Sequence, residues 1–228
     1  MRKTTITIPF LLLTMLFSDN SIAQGMVTVP DLSKIVSEDG WKISNRKIEL
    51  VNDKENNVVQ FNSQPGDGVA WIKGFEFHNG IIEADIRGKD VQGSSFVGIA
   101  FRGIDEKTYD AVYFRPFNFL SNDPLRKGHS VQYISHPEYT WQKLRAEHPE
   151  EYENPVVPAP DPNSFFHVTI VIEKPRISVF VNNAKEPCLT VSELSERKDG
   201  WVGLWVGNYS EGSFTNLKII RKQTEIKK

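Results

Sequence analysis

The stretch Gly80 to Phe119, reading GIIEADIRGKDVQGSSFVGIAFRGIDEKTYDAVYFRPFNF, alternates apolar and polar residues too regularly for anything but half-buried β-strands. Successive strand side chains point to opposite faces. Read as three neighbouring strands, the stretch sets Ile82, Ala84 and Ile86, then Val97, Ile99 and Phe101, then Val112 and Phe114 on one apolar face. The other face carries Glu83, Asp85 and Arg87, then Gly98, Ala100 and Arg102, then Ala111, Tyr113 and Arg115. Two readings of that face stand side by side. Small residues between charged ones make the floor of a groove, or the charges form a cross-strand salt-bridge lattice on a solvated sheet.

At 228 residues with 39% hydrophobic and 25% charged residues, the chain can bury one substantial core, and no linker divides it. Arg2 and Lys3 precede the apolar run Ile8 to Leu13, and Ser21-Ile22-Ala23 has the small-x-small form of a signal-peptidase site. The apolar run is too short to span a bilayer. The expected organisation is a signal peptide over 1–23, an irregular segment over 24–40, a β-sandwich over 41–221 and a basic tail over 222–228. A soluble product, secreted or periplasmic, follows, with no membrane insertion after cleavage. Cys188 is the sole cysteine, so no internal disulfide is available and the thiol is expected to serve as a small buried hydrophobe. A formal charge of −2 without a basic patch excludes nucleic acid as the partner.

Short β-type runs separated by Asn, Asp and Gly clusters continue on either side of the central stretch, and 165–172 with 177–181 forms a hairpin around Lys174-Pro175. About a dozen short strands make an all-β, two-sheet sandwich. The interval 120–163 breaks the pattern as an insertion. It holds one strand near 130–134, a helix start at Ser135 with Glu138 as capping box, Trp141 and Leu144 on one helix face, and a proline-rich loop. Tyr133, Tyr139, Trp141 and Tyr152 give this lid rings to dock on the sheet or to stack on a ligand.

GIIEADIRG, SSFVGIAFRG, YDAVYFRPF, SFFHVTIVIEKPRISVFVNN and GWVGLWVGNYSEGSFTNLKI, in that order, resemble a concanavalin A-like lectin/glucanase jelly roll over Trp41 to Arg221. Within that superfamily the chain is similar to secreted bacterial 3-keto-disaccharide hydrolase-type and laminin-G-like domains. The resemblance implies a carbohydrate or glycoside as partner. It leaves three functions open: a glycosidic-bond-cleaving enzyme, a lectin-like module, and a structural or protein-binding domain. Retaining family-16 glucanases carry E-x-D-x-x-E on one strand; here Glu83 and Asp85 are followed by Gly88 at the third position, so that motif is broken. Cleavage of a 3-keto sugar would need a base, for which Glu83, Asp85 or a loop His are candidates. It would also need a donor for the enolate oxygen, for which Arg102 or Arg115 are candidates. Sugar binding would instead draw on Arg87, Arg102, Tyr113, Arg115, Tyr139 and Trp141. No cofactor is implied. The five His show no zinc spacing, and Asp105, Asp123 and Asp161 are the loop acids that could make a calcium site.

Overall fold

The structure, a computed structural model, describes residues 25–53 and 56–222. The signal peptide expected over 1–23, Gln24, and the basic tail beyond Lys222 lie outside the described residues. Within them, one sheet runs in the order β13 (Leu189–Ser192), β12 (Arg176–Val181), β11 (Phe166–Glu173), β6 (Gly80–Arg87), β15 (Gly212–Arg221), β4 (Asn56–Phe61) and β3 (Ile48–Asp53). A short β1 (Met26–Thr28) adds to β15, which makes this sheet eight-stranded and gives order to a segment expected to be irregular. The second, seven-stranded sheet runs β10 (Glu153–Asn154), β9 (Val131–His136), β8 (Tyr109–Phe114), β7 (Val97–Gly103), β14 (Trp201–Val206), β5 (Gly68–Ile72) and β2 (Trp41–Ser44). The chain is thus an antiparallel two-sheet sandwich, as the strand pattern requires.

The apolar set named from alternation fills the space between the sheets. Ile82, Ala84 and Ile86 come from one side and Val97, Ile99, Phe101, Val112 and Phe114 from the other, all buried. Phe114, Phe119 and Phe166 meet edge to face across that space. Each buried Phe or Ile contributes about 1.5–3 kcal/mol, and with no disulfide this core carries the stability. Cys188 is one of its members, and burial pushes its thiol up to about 12, where it is inert.

One expectation is overturned here. The three strands are not neighbours: β6 lies in the eight-stranded sheet, whereas β7 and β8 pair in the seven-stranded one. Alternation tells which side of a strand is apolar; it does not tell which of two packed sheets owns the strand. The residues between β6 and β7 carry the chain from one sheet to the other.

The insertion also differs in detail. Helices α1 (Pro116–Phe119) and α2 (Pro124–Gly128) precede β9, each with Pro in its first turn. Helix α3 spans Trp141–Glu147, and Thr140 caps it, with Oγ1 accepting from Lys143 N at 3.4 Å. Ser135 belongs to β9, and a turn containing Pro137 separates it from the helix. Leu144 is buried while Trp141 is 41% exposed, so the two do not share a core face.

Candidate functional site

The outer face of β6 holds Glu83 and Asp85 in cross-strand pairs with β11 and β15. Lys218 Nζ donates to Glu83 Oε2 at 2.8 Å. Asp85 Oδ1 lies 2.7 Å from His167 Nδ1, and Asn216 Nδ2 donates to Asp85 Oδ2 at 2.6 Å. Asn216 reaches it from a β-bulge in β15, where two residues oppose one and its φ is +54°. Arg87, on the same face, packs over the Phe165 ring. Of the two readings of this face, the salt-bridge lattice describes Glu83 and Asp85. A groove shared with Arg102, Tyr113 and Arg115 is excluded, because those three stand on the other sheet.

Arg102 departs from the expectation for a second reason. Between Trp201 and Gly203 of β14 the register with β7 shifts, so that Phe101 and Arg102 oppose the single residue Val202. Arg102 takes φ +53° at this bulge, which turns its guanidinium away from the sheet face into the end of the sandwich. There it is fully buried. Its Nε donates to Glu193 Oε1 at 3.0 Å, its Nη2 donates to Asn79 Oδ1, and its Nη1 donates to the carbonyls of Phe77, His78 and Lys198. Gly200 packs against the bulge with φ +151°, where a Cβ would meet Arg102 C at 2.6 Å. Arg102 therefore ties down the 193–200 strap and offers no donor to a ligand.

The outer face of the seven-stranded sheet does collect the small residues expected of a low floor. Tyr113 pairs with Gly98, Ala111 with Ala100, and these with Trp205 and Gly203. Rings lie across that floor instead of leaving it open. Tyr113 packs on Trp205 at 5.0 Å, Trp71 on Tyr109 at 5.7 Å and on Trp201 at 5.8 Å. A Cβ on Gly103 would strike the Trp71 ring at 2.7 Å, so the small residues make room for indoles.

Toward the β9–β10 edge the same face becomes polar. Register sets Tyr113 against Gln132 and Gln132 against Glu153. Arg115, just past β8, is buried; its Nη2 donates to the Tyr113 hydroxyl and to Gln132 Oε1, and its Nη1 donates to His129 O at 3.0 Å. Tyr113 Oη also donates to Gln132 Oε1 at 2.8 Å. Arg145 of α3 grips Glu153 with two nitrogens, Nε at 2.9 Å and Nη2 at 2.8 Å, a fork-to-carboxylate geometry that docks the insertion on the sheet. Trp141 stacks on Arg145 at 5.0 Å with its ring 41% exposed, and Tyr139, half-buried, has Lys143 over it at 4.8 Å. Burial lowers the Arg115 pKa and pushes the Tyr113 hydroxyl up to about 12.

Two buried polar atoms around Arg115 have no hydrogen-bond partner in the protein, Asn118 Oδ1 and Gln132 Nε2. The His129 ring nitrogen Nδ1 pairs with Glu153 Oε1 at 2.8 Å. A buried polar atom left unmet costs about 1–3 kcal/mol, so each of the two calls for a polar partner. His129 and Glu153 also line a cleft of about 440 Å³ between α2 and the segment after β10. The sequence offers Tyr113, Arg115, Tyr139 and Trp141 as candidates, and His129 only as one of the loop histidines; it does not single out Gln132, Arg145 or Glu153. The only available signal was alternation: Gln132 stands between Val131 and Tyr133, a polar residue in an apolar strand.

A second polar group sits at the other end of the aromatic floor. Trp205 Nε1 donates to the Tyr109 hydroxyl at 3.1 Å, which donates to Asp67 Oδ2 at 2.9 Å, with His136 Nδ1 at 3.9 Å from the same oxygen. Burial raises the Asp67 pKa and lowers those of His136 and His129. Each lowered histidine binds fewer protons folded than unfolded below the ordinary value of about 6.5, so its contribution to stability is lost as pH falls through that range. Asp67 works oppositely, its contribution being lost as pH rises through its raised value. Thermal midpoints measured between pH 7.5 and pH 5 should therefore fall with acidification, and the double change His129→Gln, His136→Gln should remove that part of the slope.

The loop acids suggested for calcium are not gathered. Asp105 accepts from Lys107 N and Thr108 N, Asp123 caps α2, and Asp161 accepts from Asn163 N. Among the described residues no group of three or more His, Cys, Asp or Glu could hold a metal ion.

No family model matches the chain, and no curated protein matches it. Solved structures do. The carbohydrate-binding module CBM66 of Bacillus subtilis is similar at TM-score 0.56 and 18% identity, over 79% of this chain and 95% of that one. A Bacillus subtilis protein of unknown function with a galectin-like fold gives 0.55 and 11%, over 86% and 98%. A family-16 endo-glucanase of Bacteroides ovatus gives 0.53 and 11%, over 79% and 94%. These likenesses show the fold, a concanavalin A-like two-sheet jelly roll.

Proposed function

We propose that this chain is a carbohydrate-binding β-sandwich that holds its ligand on the outer face of the seven-stranded sheet, at the cluster of Tyr113, Arg115, Gln132, His129 and Glu153. The observation that carries this reading is the pair of unmet polar atoms on Asn118 and Gln132, gathered with the His129–Glu153 pair round one buried guanidinium. Sugar hydroxyls both donate and accept, and this set offers a donor amide, an acceptor carbonyl and an imidazole. Trp141, exposed and stiffened by Arg145, gives a ring face beside them for the apolar side of a pyranose. That similar folds include a carbohydrate-binding module and an endo-glucanase supports the same reading. The leader-like N-terminus supports a location outside the cytoplasm, secreted or periplasmic, and no described helix is long and apolar enough to cross a membrane.

A second reading, cleavage of a glycosidic bond, is favoured by one observation. His129, which burial pushes toward its neutral form, has its ring 2.8 Å from a carboxylate and its carbonyl accepting from Arg115, which sets a base near an electrophilic donor. Glu83 and Asp85 have no part in either reading, since both are tied in pairs on the opposite sheet.

Glycan-array binding of the chain from Gln24, run beside turnover of native and 3-keto glycosides, tests both. Binding without product, weakened by Trp141→Ala, is the expected result. Product formation abolished by His129→Gln would make the protein an enzyme. Neither binding nor product would remove carbohydrate from the account and leave a protein-binding sandwich.

A further inference from the structure

The cleft that His129 and Glu153 share is not polar throughout. Its lining brings His129 and Glu153, with Lys127 and Glu150, together with four apolar side chains, Pro124 and Leu125 of α2 and Pro155 and Val157 after β10. Leu125 and Val157 are 63% and 65% exposed. A sugar alone has no use for so much apolar lining beside its polar contacts. Resting on the carbohydrate reading above, we propose that the ligand is a glycoside whose aglycone is apolar, an aryl or alkyl group that lies against Leu125 and Val157 while the sugar ring meets His129 and Glu153.

The size agrees. About 440 Å³ is within the range of roughly 300–1,000 Å³ usual for small-molecule sites, and holds a monosaccharide with a ring substituent. An extended peptide is a poor fit for the same place. The adjoining edge strand β10 has two residues, the side chain of Asn154 is spent on Cys188 O at 2.7 Å, and Pro155 has no N–H to continue a ladder. A lining of mixed apolar and polar side chains thus favours a small amphiphile over a strand.

Isothermal titration of the chain from Gln24 with matched methyl and phenyl β-glycosides of glucose, galactose and mannose tests this. In the pair that binds, the phenyl glycoside should bind roughly tenfold more tightly than the methyl, from the apolar area it buries. The double change Leu125→Ser, Val157→Ser should bring the phenyl affinity down to the methyl value and leave the methyl affinity as it was; both positions are exposed, so the fold tolerates them. His129→Gln should weaken both members of the pair. Equal affinities within a His129-sensitive pair would overturn the aglycone inference and leave the carbohydrate reading standing. If no pair binds in a His129-sensitive way, the reading beneath it falls as well.

Discussion

Changing Arg102 to Met should cost about 3–5 kcal/mol of folding stability, the cost of removing one partner of a buried ion pair. The reason lies in what stays behind. Glu193, its side chain fully buried, loses the guanidinium 3.0 Å away and keeps only Lys174, whose Nζ is 3.4 Å from its other oxygen. Burial already raises the Glu193 pKa, so the carboxyl takes up a proton more readily once Arg102 is gone. The carbonyls of Phe77, His78 and Lys198 lose their donor as well. Urea unfolding should show a lower midpoint with an unchanged slope. Arg102→Met combined with Glu193→Met should recover much of the loss, because two apolar side chains leave no stranded charge. A loss below about 1 kcal/mol in the single variant would mean that the strap is not held this way.

The second large effect is on binding. Arg115→Lys keeps a positive charge but cannot make the forked contacts to the Tyr113 hydroxyl and Gln132 Oε1. Hydrogen bonds to charged groups are worth about 1.5–3 kcal/mol, so Kd for a bound glycan should rise about 10- to 150-fold. The sandwich should stay folded, as judged by its circular dichroism, because the ammonium still faces Glu153. Trp141→Ala should weaken binding less and with little loss of stability, since Trp141 is 41% exposed and is not part of the core.

Much of this architecture was legible in the residues, for a physical reason. Val97, Ile99, Phe101, Val112 and Phe114 are apolar at every second position, and the pleat admits one answer to which side is buried. The hairpin at Lys174-Pro175 and the burial of Cys188 are local matters of the same kind. What could not be read was non-local. Nothing in GIIEADIRG says that β6 pairs with β11 and β15 and not with β7, and this is what separates Glu83 and Asp85 from Tyr113 and Arg115. The turn of Arg102 into the interior depends on a bulge set by β14, more than ninety residues later in the chain. Glu153 looked like one acid in a proline-rich loop; its place beside Gln132 exists only because β10 pairs with β9. The helix cap was misplaced because Ser135 and Glu138 have the right spacing, and β9 claimed Ser135 first.

The claim on which the account turns is where the ligand sits. Amide chemical-shift mapping of the chain from Gln24, titrated with whichever glycan the array identifies, would locate it most directly. The account predicts shifts concentrated on β8, β9, β10 and α3, at Tyr113, Gln132, Glu153 and Trp141, with β6 and β11 unmoved. Shifts centred on Glu83, Asp85 and His167 would contradict it and move the site to the opposite sheet.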